Sequence, residues 1–393
     1  MTACLNVEEW CKSTRDEVLK FAVKKRSKAE EGKTNFLAVR QHLRPVDVYS
    51  YLRARFGEPN GFQNFLRRDD SDNLIHWDFQ LKAGTEDVYI CGHLREIHIA
   101  LSEALTDLEW QTLIKAIKSD YHRVAKAKSK ITHSFEKYVV FQNKYLALSD
   151  LCADLHARIS EAATSNSVDY KFDDSEEFKK EMNRRSSQVA AVFNDCLTLR
   201  LLMPIMAESY INMLILTFCR REILDDKERY NRFLRAKIPQ RLRLLSENCD
   251  GFEKTIDKDI PGYSNFMNIF NQRNFALHGN VSPLQEQIET IYFEGRRPLF
   301  VNPGNSIEML FAFMEKHADR HKLLEDYEQL HTFLHEVTKC LSADKRAFFE
   351  HVISDAYPGF RMDLRRPTRL LPDHYVWSGF PGIPYDDQLA VEW

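Results

Sequence analysis

Three polar residues, Arg273, Asn274 and His278, lie close together in a segment that is otherwise rich in phenylalanine. An arginine can bind an anion, and an asparagine can hold the arginine by a hydrogen bond. An imidazole can accept or donate a proton near neutral pH. This set could therefore bind an anion and transfer a proton.

The segment 263–280 has the periodicity of a helix, which fixes where these side chains point. Phe266, Phe270 and Arg273 share one row of the helical wheel, so we expect polar groups on the face that the aromatic rings mark as buried. A buried polar group without hydrogen bonds costs on the order of 1 to 3 kcal/mol. Gly279 predicts the helix end, which places His278 in the last turn. These residues therefore need partners or a catalytic role.

The string from Arg273 to His278 resembles the R-N-x-x-x-H signature of HEPN domains. HEPN domains are all-helical modules that commonly dimerise, and many of them cut RNA without a metal ion. The resemblance implies that Arg273 and His278 are catalytic and that Asn274 supports them. It also implies a single-stranded RNA substrate, a homodimer, no metal and no cofactor. HEPN modules occur in prokaryotic defence and toxin systems. The resemblance therefore implies two further expectations for this chain, a role in such a system and a partner protein.

Glu208 and Asn212 are the expected supporting residues on an earlier helix. They lie four positions apart on an otherwise apolar surface, so they share one helical face. A buried carboxylate needs a cationic partner, and we expect Arg273 to be that partner of Glu208. HEPN domains often place a polar residue of an earlier helix opposite the motif, although no fixed motif anchors Glu208 and Asn212 to that role. Polar residues satisfied within the core are an equal alternative.

Two other interpretations of the motif stay open. His278 would be a satisfied core histidine and Arg273 a surface residue if the segment were an ordinary helix end. Alternatively, the chain is a non-catalytic HEPN-type module that binds RNA or protein and dimerises. The first 160 residues would then carry the main function.

Composition sets limits on these hypotheses. The chain has 393 residues, with 55 basic against 58 acidic side chains, so any nucleic-acid site must be local. Eight scattered cysteines without a C-x-x-C pair, and no secretory signal, predict a cytoplasmic protein. The most apolar run, residues 196–219, contains Arg200, Pro204 and Glu208. It is therefore expected to be a core helix and not a membrane span.

The sequence predicts a mainly α protein, α+β overall, in four parts. Residues 1–160 are expected to combine helices with a small antiparallel sheet, and residues 161–187 to form a linker. Residues 188–345 are expected to form a HEPN-like helical bundle with a short hairpin. Residues 346–393 are expected to be an extended arm.

The first part contains the clearest strand signals. Helices are predicted at 9–31, 45–56 and 107–131, a further helical stretch at 138–159, and alternating strands at 74–82 and 88–99. Asp78, Gln80 and Lys82 resemble a degenerate metal-binding string of restriction-type nucleases. Simple alternation in a half-exposed strand explains these residues equally well.

Two further patterns concern charge and metal binding. Residues 225–247 form a basic segment, which predicts either an RNA contact or ion pairs with Asp225, Asp226 and Glu228. After a hairpin at 288–301, a long helix is expected from Asn305 to Leu341. That helix contains two histidine pairs four positions apart, but neither pair has a clear further ligand. The sequence therefore predicts no metal site.

Overall fold

The computed structural model describes residues 2–23, 32–66, 74–162, 175–277, 283–284, 287–301, 306–370 and 382–393. The chain divides into two compact units. The sheet unit combines Met1–Lys137 with Leu370–Trp393, and the helical unit is Tyr138–Arg369. Helices dominate and the sheets are small and antiparallel, so the predicted mainly α, α+β fold class is confirmed.

The sheet unit contains five strands and four α-helices in its described residues. They are β1 (Cys11–Lys12), α1 (Arg15–Val23), β2 (Thr34–Val39), α2 (Pro45–Phe56), β3 (Trp77–Ala83), β4 (Glu86–His93), β5 (Glu96–Leu105), α3 (Asp107–Asp120) and α4 (Ala125–His133). The strands form one antiparallel sheet in the order β1-β3-β4-β5-β2.

Both faces of this sheet are buried. One face carries apolar side chains such as Phe79 and Ile99, which pack with Trp110 of α3 in the core of the unit. The opposite face carries polar side chains, including Asp78 and Gln80, which are each only 1% exposed. The expectation of a half-exposed strand is therefore wrong for β3.

Sequence patterns located most elements of the sheet unit. The predicted helix at 45–56 is confirmed as α2, which ends where Gly57 adopts a φ of 78°. The predicted helix at 9–31 begins later, at Arg15, and residues 24–31 lie outside the described residues. The predicted helix at 107–131 is split, because a 3₁₀ turn at Tyr121–Val124 separates α3 from α4.

The predicted strand at 88–99 is two strands. Leu94 and Arg95 form a tight turn that joins β4 to β5, with Leu94 at a φ of 46°. His93 and Glu96 are consequently register partners across the turn. Left-handed backbone is unusual for leucine, so the sequence does not mark this turn.

The helical unit contains the remaining elements. They are β6 (Tyr138–Val140), α5 (Lys144–Glu161), α6 (Ser175–Phe218), α7 (Arg221–Asp225), α8 (Lys227–Arg235), α9 (Ile238–Asn248), α10 (Tyr263–Leu277), β7 (Ile291–Glu294), β8 (Arg297–Phe300), α11 (Ser306–Ala318), α12 (Arg320–Lys339), α13 (Ala343–Ile353), β9 (Gly359–Arg361) and β10 (Arg366–Thr368). β7 and β8 confirm the predicted hairpin. β6, β9 and β10 form a second small sheet.

The long helix α6 organises the helical unit. It contacts α5, α10, α11 and α12, and side chains such as Leu199, Met206 and Leu214 are fully buried. By length and hydropathy α6 could cross a membrane, but 61% of its most apolar window is buried inside the protein. This burial agrees with the expected core helix.

The boundaries differ from the predicted domains. The division falls between Lys137 and Tyr138, not at residue 160, because α5 packs on α6. Residues 163–174 of the predicted linker lie outside the described residues, and the part from Ser175 onward belongs to α6. The long helix predicted for residues 305–341 is divided at Asp319, which has a φ of 41°.

The predicted C-terminal arm is mostly folded. α13 and the strands β9 and β10 belong to the helical unit. The last described segment, 382–393, belongs to the sheet unit, where Tyr385 pairs with Ala38 of β2 as a parallel bridge. Asp386 accepts hydrogen bonds from the backbone N–H groups of Arg40, Gln41 and His42.

Candidate functional site

The helix that carries the predicted motif, α10, is anchored by aromatic packing. Phe266 and Phe270 are buried, and their ring centroids lie 4.8 Å apart. Phe266 also packs on Phe333 of α12, with 4.4 Å between ring centroids. Before the helix, Gly262 has a φ of 82°, and an added Cβ would lie 3.3 Å from the Phe333 Cβ. The predicted apolar row is therefore confirmed at Phe266 and Phe270.

Arg273 and Asn274 lie together near the end of α10. Arg273 Nη1 donates to Asn274 Oδ1 at 3.0 Å. Arg273 is half-buried, but Asn274 is exposed, so Asn274 does not lie on the buried face as expected. Within the described part of the chain, no carboxylate forms an ion pair with Arg273. His278 lies outside the described residues.

Glu208 has a different partner from the expected one. Arg241 of α9 donates from Nη1 to Glu208 Oε1 at 2.9 Å and to Asn212 Oδ1 at 3.2 Å. The Nη2 of Arg241 also donates to the carbonyl of Ala236 at 3.1 Å. The prediction that Glu208 neutralises Arg273 is therefore wrong. Glu208 and Asn212 instead hold a buried arginine that ties α9 to α6.

Arg241 could have been found in the sequence. It lies four residues before Leu245 and therefore on the apolar row of α9, and it is only 6% exposed. The other arginines of the basic segment are mostly exposed and lie off that row. An arginine on an apolar row indicates a buried ion pair, but Arg273 also lies on an apolar row, so this signal identifies both arginines and does not choose between them.

The basic segment leaves an exposed face of arginines on α8. Arg229, Arg232 and Arg235 are exposed, and none of the three forms an ion pair in the described part of the chain. Asp226 caps α8 by accepting from the N–H groups of Glu228 and Arg229, both at 3.0 Å. The neighbouring acids therefore do not neutralise this face, which we call the α8 arginine face.

Asp225, another of the three neighbouring acids, forms its ion pairs elsewhere. Its carboxylate pairs with Arg221 at 3.1 Å and with Arg365 at 3.6 Å. The ion-pair interpretation of the basic segment thus holds for Arg243, which pairs with Glu247 at 3.3 Å, but not for the α8 arginine face.

The nuclease-like string of the sheet unit is buried and internally bonded. Asp78 Oδ2 accepts from the Gln63 N–H at 2.9 Å and from the Tyr89 hydroxyl at 3.2 Å. Burial raises the pKa of Asp78. Lys82 Nζ lies 2.6 Å from Asp87 Oδ1. A lysine held in this ion pair is not placed to orient water, so the geometry gives the metal-nuclease hypothesis no support.

A second cluster on the same sheet was missed by the sequence analysis. His93, Glu96 and His98 each offer one donor atom, and these atoms all lie within 4.8 Å of one another. Burial lowers the pKa of His93, and the charge of His98 lowers it further. Alternation along a strand does not predict this cluster, because residues 93 and 96 of a continuous strand point to opposite faces.

Comparisons with protein-family models, curated proteins and solved structures found no match to the chain.

Proposed function

We propose that the helical unit is a metal-independent endoribonuclease with Arg273 and His278 as its catalytic residues. One observation carries the proposal: Arg273 is a half-buried guanidinium without a carboxylate partner in the described part of the chain, and Asn274 orients it. A guanidinium in this state is available to bind an anion. Had it been paired with Glu208, its charge would already be compensated.

The reaction requires two contributions from the chain. His278 removes the proton from a ribose 2′-hydroxyl, and the resulting oxygen attacks the adjacent phosphorus. Arg273 stabilises the negative charge of the phosphorane. The bond from phosphorus to the 5′-oxygen breaks, and that oxygen receives a proton from protonated His278, relayed through water, which restores the neutral imidazole. The products are a 2′,3′-cyclic phosphate and a free 5′-hydroxyl.

The α8 arginine face supports RNA as the substrate. Arg229, Arg232 and Arg235 recur every three residues, so they span about 9 Å along the helix. Arginine suits phosphate recognition, and contacts to the backbone position a nucleic acid without reading its sequence. The face therefore fits a single strand bound without strong sequence preference.

The hairpin formed by β7 and β8 supports the homodimer. Tyr292, Phe293 and Phe300 are 64%, 66% and 59% exposed. An isolated two-stranded hairpin is marginally stable in water, and exposed apolar clusters commonly mark interaction sites. We take a second copy of the chain as the occupant, because symmetric dimers are the commonest soluble oligomers. Such a dimer would also supply the second wall of an RNA groove.

The deciding experiment is an RNA cleavage assay on the full chain. Single-stranded RNA should be cut in the presence of EDTA, and the 5′ fragment should end in a 2′,3′-cyclic phosphate. A substrate with 2′-deoxyribose at the scissile position should be inert. Cleavage that stops with chelator would overturn the mechanism. Binding without any cleavage would instead establish the non-catalytic RNA-binding module, which the α8 arginine face equally supports.

A further inference from the structure

The tight turn between β4 and β5 brings three potential metal ligands onto one face of the sheet. His93 ends β4, Glu96 begins β5, and the two are direct register partners. His98 lies two residues after Glu96, so its side chain points to the same face. This face is the polar one that also carries Asp78 and Gln80, opposite the apolar core of the sheet unit.

The distances within the cluster suit a small cation. Glu96 Oε1 lies 2.8 Å from His98 Nε2 and 3.9 Å from His93 Nδ1. The two imidazole rings are nearly parallel, with 5.4 Å between centroids. A tetrahedral zinc ion with bonds of about 2.0 to 2.1 Å holds its donors about 3.3 Å apart. The observed separations bracket this value, so small side-chain rotations suffice.

The carboxylate of Glu96 is buried, so its negative charge needs a compensating partner. Glu96 is 2% exposed and His93 is 3% exposed, while the His98 side chain keeps 13% exposure. Within the described residues, no lysine or arginine forms an ion pair with Glu96, and its 2.8 Å hydrogen bond with His98 is an ion pair only when that imidazole is protonated. A buried carboxylate requires compensating positive charge. When both histidines are neutral, a dication between the two imidazoles and the carboxylate meets that requirement.

We propose that His93, Glu96 and His98 form a binding site for a divalent transition-metal ion, with Zn²⁺ as the best match. Two imidazoles and one carboxylate are a zinc donor set, whereas Mg²⁺ and Ca²⁺ take oxygen ligands. Three protein ligands leave one coordination position for water. The partly exposed edge of His98 gives the ion a path from solvent.

Metal binding is tested on the full chain after treatment with EDTA and dialysis. We expect one equivalent of Zn²⁺ to bind, and X-ray absorption to find nitrogen and oxygen ligands without sulfur. Zn²⁺ should raise the melting temperature, and Mg²⁺ should not, because only a ligand of the native state stabilises it. Failure to bind Zn²⁺, or a sulfur-containing shell, would overturn the proposal.

Variants locate the site. His98→Ala should abolish stoichiometric binding, whereas His122→Ala, at an exposed histidine of the same unit, should bind like the unchanged chain. Glu96→Gln preserves the shape of the side chain and should weaken binding by about tenfold or more. Full binding by both His98→Ala and Glu96→Gln would refute the assignment. If either variant fails to fold, X-ray absorption of Zn²⁺ bound to the unchanged chain still tests whether its ligands are nitrogen and oxygen without sulfur.

The proposed metal site and the proposed ribonuclease activity can be refuted independently of each other. RNA cleavage is expected to survive EDTA, while zinc binding is not, and the two assays use different residues. His98→Ala should therefore cut RNA normally.

Discussion

Arg241 of α9 donates to Glu208 of α6 at 2.9 Å, and this contact joins two helices through one buried side chain. Arg241→Ala removes the partner of Glu208, whose side chain is 35% exposed. Because water reaches the stranded carboxylate, we expect a loss of about 1 to 3 kcal/mol in the free energy of unfolding, below the value for a fully buried pair. Chemical denaturation measures it.

Two further variants check this assignment. Arg243→Ala removes an exposed arginine of the same helix and should change stability by no more than about 0.5 kcal/mol. Glu208→Gln in the Arg241→Ala background should recover part of the loss, since no charge is then left unpaired. Equal effects of the Arg241 and Arg243 substitutions would contradict the structural role of Arg241.

Arg273→Ala should separate activity from stability. Since Arg273 has no carboxylate partner in the described part of the chain, its removal strands no buried charge. We expect RNA cleavage to fall sharply while the melting temperature stays nearly unchanged. Arg158→Ala, at an arginine paired with Asp195, is the matched control and should cut RNA normally. An Arg273→Ala variant with full activity would rule out the proposed enzyme.

His278→Ala tests the proton transfer directly. General acid–base catalysis typically contributes 10² to 10⁴-fold, so the cleavage rate should fall by about that factor. Rates are best compared under single-turnover conditions, where product release does not mask the chemical step. Binding of a non-cleavable 2′-deoxy substrate should persist. Loss of binding together with loss of cleavage would point to a structural role for His278.

The α8 arginine face should determine how RNA binding depends on salt. Changing Arg229, Arg232 and Arg235 to Gln should weaken binding and reduce the slope of log K against log salt by about 0.7 per lost phosphate contact. The control changes three ion-paired arginines, Arg158, Arg184 and Arg221, to Gln. An unchanged salt slope in the α8 variant, measured by fluorescence anisotropy, would place the RNA elsewhere.

The exposed hairpin should control assembly. Tyr292→Ser combined with Phe293→Ser removes apolar surface without cutting the backbone. We therefore expect light scattering to show the dimer dissociating at a higher protein concentration than for the unchanged chain. Leu364→Ser, at another exposed apolar residue of the helical unit, is the control. A chain that is already monomeric before mutation would count against the composite groove.

His331 should make the helical unit sensitive to acid. It packs against Tyr327, which also stacks on His156, and neither His331 Nε2 nor His156 Nε2 has a hydrogen-bond partner in the described part of the chain. Burial lowers the pKa of His331 below its ordinary value of 6.5, and the charge of His156 lowers it further. The native state thus binds fewer protons than the unfolded state just below pH 6.5.

The sign of the pH effect follows. The stability associated with neutral His331 is present above pH 6.5 and is lost as the pH falls below it. His331→Gln should therefore lose less stability than the unchanged chain between about pH 7.5 and pH 5.5. Exposed His335 gives the control, His335→Gln. Asp326, whose pKa is raised by burial, acts in the opposite direction, so only the difference between variants is diagnostic.

Local patterns predicted local features of this chain. The helix α2 has a proline near its start and a glycine after its end, and both signals are in the sequence. The aromatic row of α10 likewise identified its buried face through Phe266 and Phe270. Both features depend on neighbours along the chain, which is what periodicity measures.

Features that depend on tertiary contacts could not be predicted in the same way. Arg273 was the expected partner of Glu208, but the packing of α9 on α6 places Arg241 there. The pairing of His93 with Glu96 depends on a left-handed Leu94, which no residue preference indicates. A continuous strand would have put these two side chains on opposite faces.

The sheet unit is assembled from segments that lie far apart in the sequence, which has a consequence for biosynthesis. The bridge from Tyr385 to Ala38 and the bonds from Asp386 to the 40–42 loop can form only after residue 386 has left the ribosome. The helical unit lies between these two segments in the sequence. All of its residues have therefore left the ribosome before the last segment of the sheet unit does. Because domains fold as they emerge, the helical unit can be folded while the open edge of β2 still awaits its last segment.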